Sequence, residues 1–406
     1  MTNHTHYDVI IAGAGLVGSA LALGLAQSGL KVVVIDPLPQ AAQLETQFDG
    51  RVSAIALAST RVLDAIGVWQ HALPYAEPIL DIRVLDGDST PYVHFNHREV
   101  GDEPFGYMVE NQKLRVALFT AVNADPTITF IAGDSVTGYE TTSGHITATL
   151  ASGGTLTGAL LVAADGRLSS LRTHAGLPHR VVEYGQTAIV CTIKHSEPHN
   201  GVALERFLPP GPFAVLPMTE QRSCIVWTEK DDYAPHIMGL SDAEFTLELK
   251  KRMGDYWGDI ALVGTRHTYP LRLMFAREMV SERFALIGDA AHGIHPIAGQ
   301  GVNLGYRDVA ALVELLRDQH ALGLDVGSAQ ILERYARWRR GDSLSMTAFT
   351  DVLDRLFSNN IPPLRFMRRM GLGIVNRSPR LKKQLMKRAM GLTGDAPKLL
   401  RGAHSH

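Results

Sequence analysis

Cysteine is scarce in this chain. There are two in 406 residues, Cys191 and Cys224, and they lack metal-ligand spacing. Structural zinc sites and disulfide scaffolds both need clustered or repeated cysteines, so neither is expected, and the pair reads as two buried thiols. Long hydrophobic runs are missing too: none reaches the roughly 18 residues that suggest a membrane-crossing helix. The N-terminus, Met1-Thr2-Asn3-His4-Thr5-His6, has neither the basic nor the apolar stretch of a secretion signal, which makes the cytoplasm the expected compartment. A net charge of −2 supplies no global field for nucleic acid, and none is expected as a partner. Internal repeats and low-complexity tracts are absent.

One absence is local. Between Asp354 and Asp395 no acidic residue occurs, while Arg355, Arg365, Arg368, Arg369, Arg377, Arg380, Lys382, Lys383, Lys387 and Arg388 all fall in that stretch. Apolar residues such as Phe366, Met367, Leu381 and Met386 interleave with them. Such a segment suits the surface of an anionic membrane. It also suits a solvated helical face, or one paired with acidic patches of its own fold, which is the favoured reading.

The composition, 45% hydrophobic and 20% charged, is that of an ordinary globular enzyme, and the length allows two or three domain-sized units. Residues 7–12 read as an apolar strand, 16–28 as a helix and 31–35 as a valine-rich strand, a βαβ unit of about 30 residues. Helices are expected over 60–66 and 112–123, and strands over 106–109, 127–132, 146–150 and 155–163. From 180 to 272 the pattern changes to alternating strands over 187–193, 203–208, 213–217 and 223–228. A helix over 242–256 interrupts them, opened by the capping box Ser241-Asp242-Ala243-Glu244. The βα pattern resumes after Phe284, and beyond Leu304 the chain reads as largely helical. The expected fold class is α/β: a Rossmann-like body with an inserted, mainly antiparallel sheet and a helical C-terminal tail.

Three motifs carry chemistry. Gly13-Ala14-Gly15-Leu16-Val17-Gly18 is a G-x-G-x-x-G between strand and helix. Gly13 makes the tight turn, Gly15 lets the backbone approach a pyrophosphate, and Gly18 packs helix against strand. The helix N-terminus offers free N–H groups to the phosphates. Asp36, ending the second strand, is placed to bond ribose hydroxyls. This motif alone does not separate NAD from FAD. The second one does: in Gly288-Asp289 a carboxylate at a strand end can accept hydrogen bonds from ribityl hydroxyls, which NAD lacks. The Gly299-Gln300-Gly301-Val302-Asn303 that follows opens a helix, whose amides suit the pyrimidine edge of a flavin. The third, Asp165-Gly166 with Ser169, Ser170 and Arg172, follows another apolar strand. By itself it could be an ordinary capped βα turn.

In this order the motifs resemble those of the FAD-dependent aromatic hydroxylases, the p-hydroxybenzoate-hydroxylase-like group A flavoprotein monooxygenases, across nearly the whole chain. The ubiquinone-biosynthesis branch is the nearer likeness. It is carried by Phe48-Asp49-Gly50-Arg51-Val52-Ser53-Ala54, Val109-Glu110-Asn111, Glu183-Tyr184-Gly185-Gln186-Thr187-Ala188, residues 292–308 and residues 355–363. Halogenases of this fold carry a Trp-x-Trp motif, whereas Trp69, Trp227, Trp257 and Trp338 stand apart here.

The resemblance implies that Gly13, Gly15, Gly18, Gly288, Asp289, Pro296, Gly299, Gln300, Gly301 and Asn303 bind FAD. Asp165 and Gly166 would serve both FAD and NAD(P)H, Arg51 would meet the flavin or its phosphates, and Asn111 the ribityl chain. By themselves Arg51 could be a surface salt-bridge partner and Asn111 a helix N-cap. NAD(P)H would reduce the flavin, O2 would add to it as a C4a-hydroperoxide, and a polyprenylated phenol or benzoquinol would be hydroxylated on its ring. The alternatives are a flavoprotein monooxygenase acting on another small aromatic, or a non-catalytic FAD-binding subunit of a biosynthetic complex. This chemistry obliges no side chain to act as nucleophile, and no metal is called for. His292, His295 and Tyr184 are the candidates for proton transfer or substrate orientation, with plain structural roles as their alternative. Tyr269 is a further candidate to orient a substrate hydroxyl. The implied division is an FAD-binding domain from residues 1–75, 100–178 and 273–350, a substrate domain from 76–99 and 179–272, and a basic helical segment over 351–406. Implied partners are the substrate, a quinone-biosynthesis protein complex and the inner face of the membrane, touched peripherally.

Overall fold

A computed structural model describes residues 6–45, 48–87, 92–293, 301–341 and 377–402. Its first sheet has eight strands. Phe284–Leu286, Thr155–Ala163, His6–Ala12, Val32–Asp36 and Ile128–Ala132 lie side by side and parallel. Val9, Ile10, Ile11, Val32, Val33 and Val34 are fully buried, as strands of a parallel sheet covered on both faces must be. Helix Leu16–Ala26 crosses between the first two parallel strands and packs on helix Gly301–Ala321. The two approach so closely that a Cβ on Gly24 would lie 2.8 Å from Val313 Cγ2. An antiparallel hairpin, Ile146–Leu150 into Thr155–Ala163, turns through Ser152-Gly153-Gly154, with Gly153 at φ +91°.

A second eight-stranded sheet is mainly antiparallel. Its spine is His179–His195, paired with Ile260–Ala276 on one side and Arg222–Lys230 on the other. Gly211–Met218 and Val202–Leu208 follow, and then Asp81–Asp86 and Tyr92–Asn96 from much earlier in the chain. Strand periodicity divides this sheet into two faces. Ile189, Cys191, Ile225 and Trp227 point into a core closed by Phe245, Leu249 and Met253 of helix Asp242–Met253. Ala188, Val190, Cys224 and Val226 point the other way, into the cleft facing the first sheet. A small sheet of Val52–Ala56, Gly106–Glu110 and Ala76–Ile79 stands beside that cleft.

Several elements differ from the sequence expectation. The helix expected over 242–256 stops at Met253, because Gly254 adopts φ +74°, and a 3-10 turn Asp255–Trp257 follows. Its capping box forms as expected, with Ser241 Oγ accepting from the Glu244 N–H. The 17-residue strand Ile260–Ala276 has no clean apolar alternation, since Thr265, Arg266, His267 and Thr268 run through its middle, and sequence patterning missed it. The basic C-terminal segment, by contrast, shows at Lys382 the pairing with an acid of its own fold that was one of its expected alternatives. Helix Pro379–Ala389 buries Met386, Lys382 Nζ pairs with Glu99 at 2.6 Å, and Leu399 and Leu400 enter the main core. No described helix is long and apolar enough to cross a membrane.

Candidate functional site

The glycine turn is sterically specified. Gly13 sits at φ +105°, and a Cβ there would meet Ala164 O at 2.5 Å. A Cβ on Gly18 would fall 1.9 Å from Gly13 O, so helix and turn touch only because neither residue has a side chain. Gly15 differs. Nothing of the protein lies within 4 Å of its virtual Cβ, which projects into a cleft of about 660 Å³. Asp36 lines the same cleft and braces the turn: the Ala14 N–H donates to its Oδ2 at 2.6 Å, and Gln43 Nε2 and the Leu38 N–H donate to its Oδ1 at 2.9 Å each.

On the opposite wall, helix Asn111–Ala124 begins beside strand Val52–Ala56. Ser53 Oγ donates to Asn111 Oδ1 at 2.6 Å, and the Asn111 N–H donates to Arg51 O. Arg51 is half exposed and forks onto Asp49 through Nε and Nη2, at 2.9 and 2.6 Å. That hydrogen bond raises the arginine pKa. Burial acts to raise the Asp49 carboxyl, but the Arg51 hydrogen bonds outweigh it and hold the group below its ordinary range. Gln43, Gln112 and Arg115 also line the cleft, and sequence reasoning missed all three. Gln43 Oε1, Gln112 Oε1 and Arg115 Nε are buried atoms without a hydrogen-bond partner among the described residues. Buried polar atoms of this kind ordinarily have partners, so the cleft is built for a polar ligand. Nothing in the local sequence marked these residues: Gln112 reads as an ordinary polar residue in the first turn of a helix, and its 2% exposure shows only in the fold.

The floor of the cleft is the Gly288-Asp289 turn. Gly288 adopts φ +57°, and its N–H donates to Asp308 Oδ2 at 2.9 Å. Asp308 is fully buried, with Arg339 Nε donating to Oδ1 at 2.7 Å. His292 Nε2 lies 2.7 Å from Oδ2, a close polar contact not aligned as a hydrogen bond. Burial acts to raise the Asp308 pKa, and His292 and Arg339 outweigh it and hold the carboxylate ionised. Asp289 is exposed to the cleft, and Gly301 and Val302 at the start of helix Gly301–Ala321 line it.

Thus Gly15, Asp36, Arg51, Asn111, Gly166, Gly288, Asp289 and Gly301 are brought to one cleft. Gly13 and Gly18 shape the turn beneath it. Asp165 stands just behind the lining, with Oδ2 accepting from the Leu171 N–H at 3.4 Å and Oδ1 buried without a partner among the described residues. Asn303 instead ties the helix to the neighbouring strand: its Nδ2 donates to Ala54 O at 2.8 Å and its Oδ1 accepts from the Ala56 N–H at 2.9 Å. His292 is 2% exposed and faces Asp308, not the cleft. Tyr184 packs with Leu273 and Leu304 away from the cleft lining, whereas Tyr269 is on it. His295, Pro296, Gly299 and Gln300, and the motif at 355–363, lie outside the described residues.

The cleft has two chemical halves. Asp36 by the glycine turn, Asp289 on the floor, Arg167, and Arg51 and Arg115 on the opposite wall put charge on one part of the lining. The substrate-sheet wall, Ala188, Val190, Leu216, Cys224, Val226, Tyr269 and Pro270, holds no charged side chain. Burial pushes the Cys224 thiol up to about 12 and raises the Tyr269 hydroxyl, so both stay protonated at neutral pH.

Comparison with known proteins agrees with this arrangement. The FAD binding domain family matches residues 6–349. Ubiquinone hydroxylase UbiL of Rhodospirillum rubrum is 48% identical over 97% of this chain and 92% of its own. The 3-demethoxyubiquinol 3-hydroxylase of Escherichia coli is 35% identical over 97% and 100%. Among solved structures, p-nitrophenol 4-monooxygenase PnpA of Pseudomonas putida superposes with a TM-score of 0.80 at 19% identity, covering 97% of this chain and 99% of that one, a likeness of fold. The chain belongs to the FAD-binding hydroxylases of ubiquinone biosynthesis and is an FAD-dependent aromatic-ring monooxygenase.

Proposed function

We propose that this protein hydroxylates the ring of a polyprenylated phenol or benzoquinol. One observation carries the reading: a charged, hydrogen-bonding half-cleft runs without interruption into a half-cleft whose wall bears no charge. The first half fits FAD. Gly15 leaves room for the pyrophosphate, Asp36 and Asp289 offer carboxylates to hydroxyl groups, and Gln43, Gln112 and Arg115 hold atoms in need of partners. Gly13, Gly18, Gly166, Gly288 and Gly301 complete that cradle with Arg51 and Asn111, and Asp165 supports it from behind. FAD, reduced by NAD(P)H, supplies the activation of O2.

The chain's own residues do the rest. The apolar wall takes a neutral, greasy ring and excludes water from it, which protects the oxidising equivalent from wasteful loss. Tyr269 supplies a hydroxyl donor for orienting an oxygen substituent. The first sheet with its helices would form the flavin domain, and the second sheet, with residues 81–96, the substrate domain. Helix Pro379–Ala389, with Arg380, Lys383 and Lys387 exposed, suits a peripheral contact at the inner face of the membrane.

Expression in strains lacking individual quinone-ring hydroxylation steps tests the reading. Mass spectrometry should show one accumulated intermediate disappearing and quinone returning. Restoration in none of the strains would overturn it.

A further inference from the structure

A second cavity, of about 70 Å³, lies between the small three-stranded sheet and the substrate sheet. Ala54 and Leu216 line both it and the large cleft, so one layer of side chains separates the two spaces. Phe105, Ala203 and Glu205 line its interior, and Ala389, the last residue of helix Pro379–Ala389, closes its far side. Met386 and Met390 of that C-terminal segment pack into the same apolar layer as Ala54, Ala203, Leu216 and Cys224. Methionine is the side chain best able to change shape around an apolar guest. Glu205 is half-buried on its lining, where burial pushes its carboxyl up to about 7 and favours the neutral form. The outer face of the same helix carries the exposed Arg380, Lys383 and Lys387.

We infer that this cavity is the inner section of a route for the substrate's isoprenoid chain, running from the ring site past Ala54 and Leu216 to the C-terminal helix. The inference rests on the polyprenylated substrate proposed above. The ring occupies the large cleft, and the first isoprene units pass between the two sheets by displacing the Leu216 and methionine side chains. The chain emerges under the basic helix, where a bilayer can take it up.

Chain-length dependence tests this. The FAD-loaded full-length enzyme is assayed with a phenol carrying one isoprene unit and with the same phenol carrying several. Ala203→Leu fills the cavity from the substrate sheet, and Ala389→Trp blocks its outer end from an exposed position. Each variant should raise the KM for the long-chain phenol roughly tenfold, the equivalent of about two buried methylenes. Flavin content and turnover of the short-chain phenol should stay at wild-type level. Equal losses for both phenols in both variants, or unchanged kinetics with both, would overturn the route while leaving the hydroxylase reading in place. Failure of the wild-type enzyme to hydroxylate either phenol would overturn the reading, and the route with it.

Discussion

At the scale of single residues, the glycine turn separates two demands that the motif presents as one. Gly18 serves the fold, since a Cβ there would overlap Gly13 O at 1.9 Å, while Gly15 faces open cleft. Gly15→Ala should therefore keep the thermal midpoint of the flavin-free protein and weaken FAD binding by about tenfold or more, the cost of a methyl group where phosphate must approach. Gly18→Ala should lower both, with a stability loss of roughly 2–4 kcal/mol from overpacking against backbone. Thermal melts of the flavin-free variants, together with flavin titration by fluorescence, read the two effects apart. Equal stability losses in both would contradict the division. Asp36 was legible in the sequence by its distance from the glycines. Its hydrogen bond from Ala14 was not, because it shows only once the two strands are set side by side. Asn303 sat within a flavin-like motif, yet its side chain is committed to Ala54 and Ala56, roughly 250 residues away, and no local pattern encodes that pairing.

Among the elements, the far end of the substrate sheet is locked by two histidines. His195 Nδ1 meets Glu197 O at 2.7 Å and its Nε2 meets Ser223 Oγ at 3.0 Å. His199 Nδ1 accepts from the Gly201 N–H, which fixes Nε2 as the donor to Met218 O. Burial lowers the pKa of both, and Glu77, 4.0 Å from His199 Nε2, is itself raised by burial and does not offset this. The unfolded chain therefore takes up protons first, and stability rises with pH through this region. The contribution is complete above the unfolded histidine value of about 6.5 and is lost as pH falls below it. Thermal midpoints should drop between pH 7 and pH 5, and His199→Gln should flatten that slope. A slope unchanged in the variant would rule His199 out as a source. Continuous apolar runs bounded by turn residues made the parallel strands legible, and the glycine motif and stop signals marked the helix between the first two. The strand Ile260–Ala276 was not, because its register comes from its neighbour His179–His195 and not from its own alternation.

For the whole molecule, the C-terminal segment serves both the fold and, on this account, the membrane. Arg307 donates to the carbonyls of Gly391 and Thr393, Trp338 Nε1 donates to Asp395 O at 2.8 Å, and Lys398 N–H donates to Glu314 Oε2 at 2.7 Å. These contacts anchor the chain just after the basic helix, and Lys382 within it pairs with Glu99, so the helix is held on the body. Co-sedimentation with anionic vesicles should be strong at low salt and weaken by about a hundredfold or more when Arg380, Lys383 and Lys387 become Glu, as each surface cation contributes about 1 kcal/mol. Binding that ignores both salt and these substitutions would exclude the helix as the contact. The central claim is that one cleft holds FAD against a neutral, apolar ring and puts oxygen on it. Its most direct measurement is mass spectrometry of a polyprenylated phenol incubated with the FAD-loaded enzyme, NAD(P)H and isotopically labelled dioxygen. The account predicts substrate-dependent NAD(P)H oxidation and one labelled oxygen on the ring. Flavin that is bound and reduced, with no labelled oxygen entering the product, would contradict it.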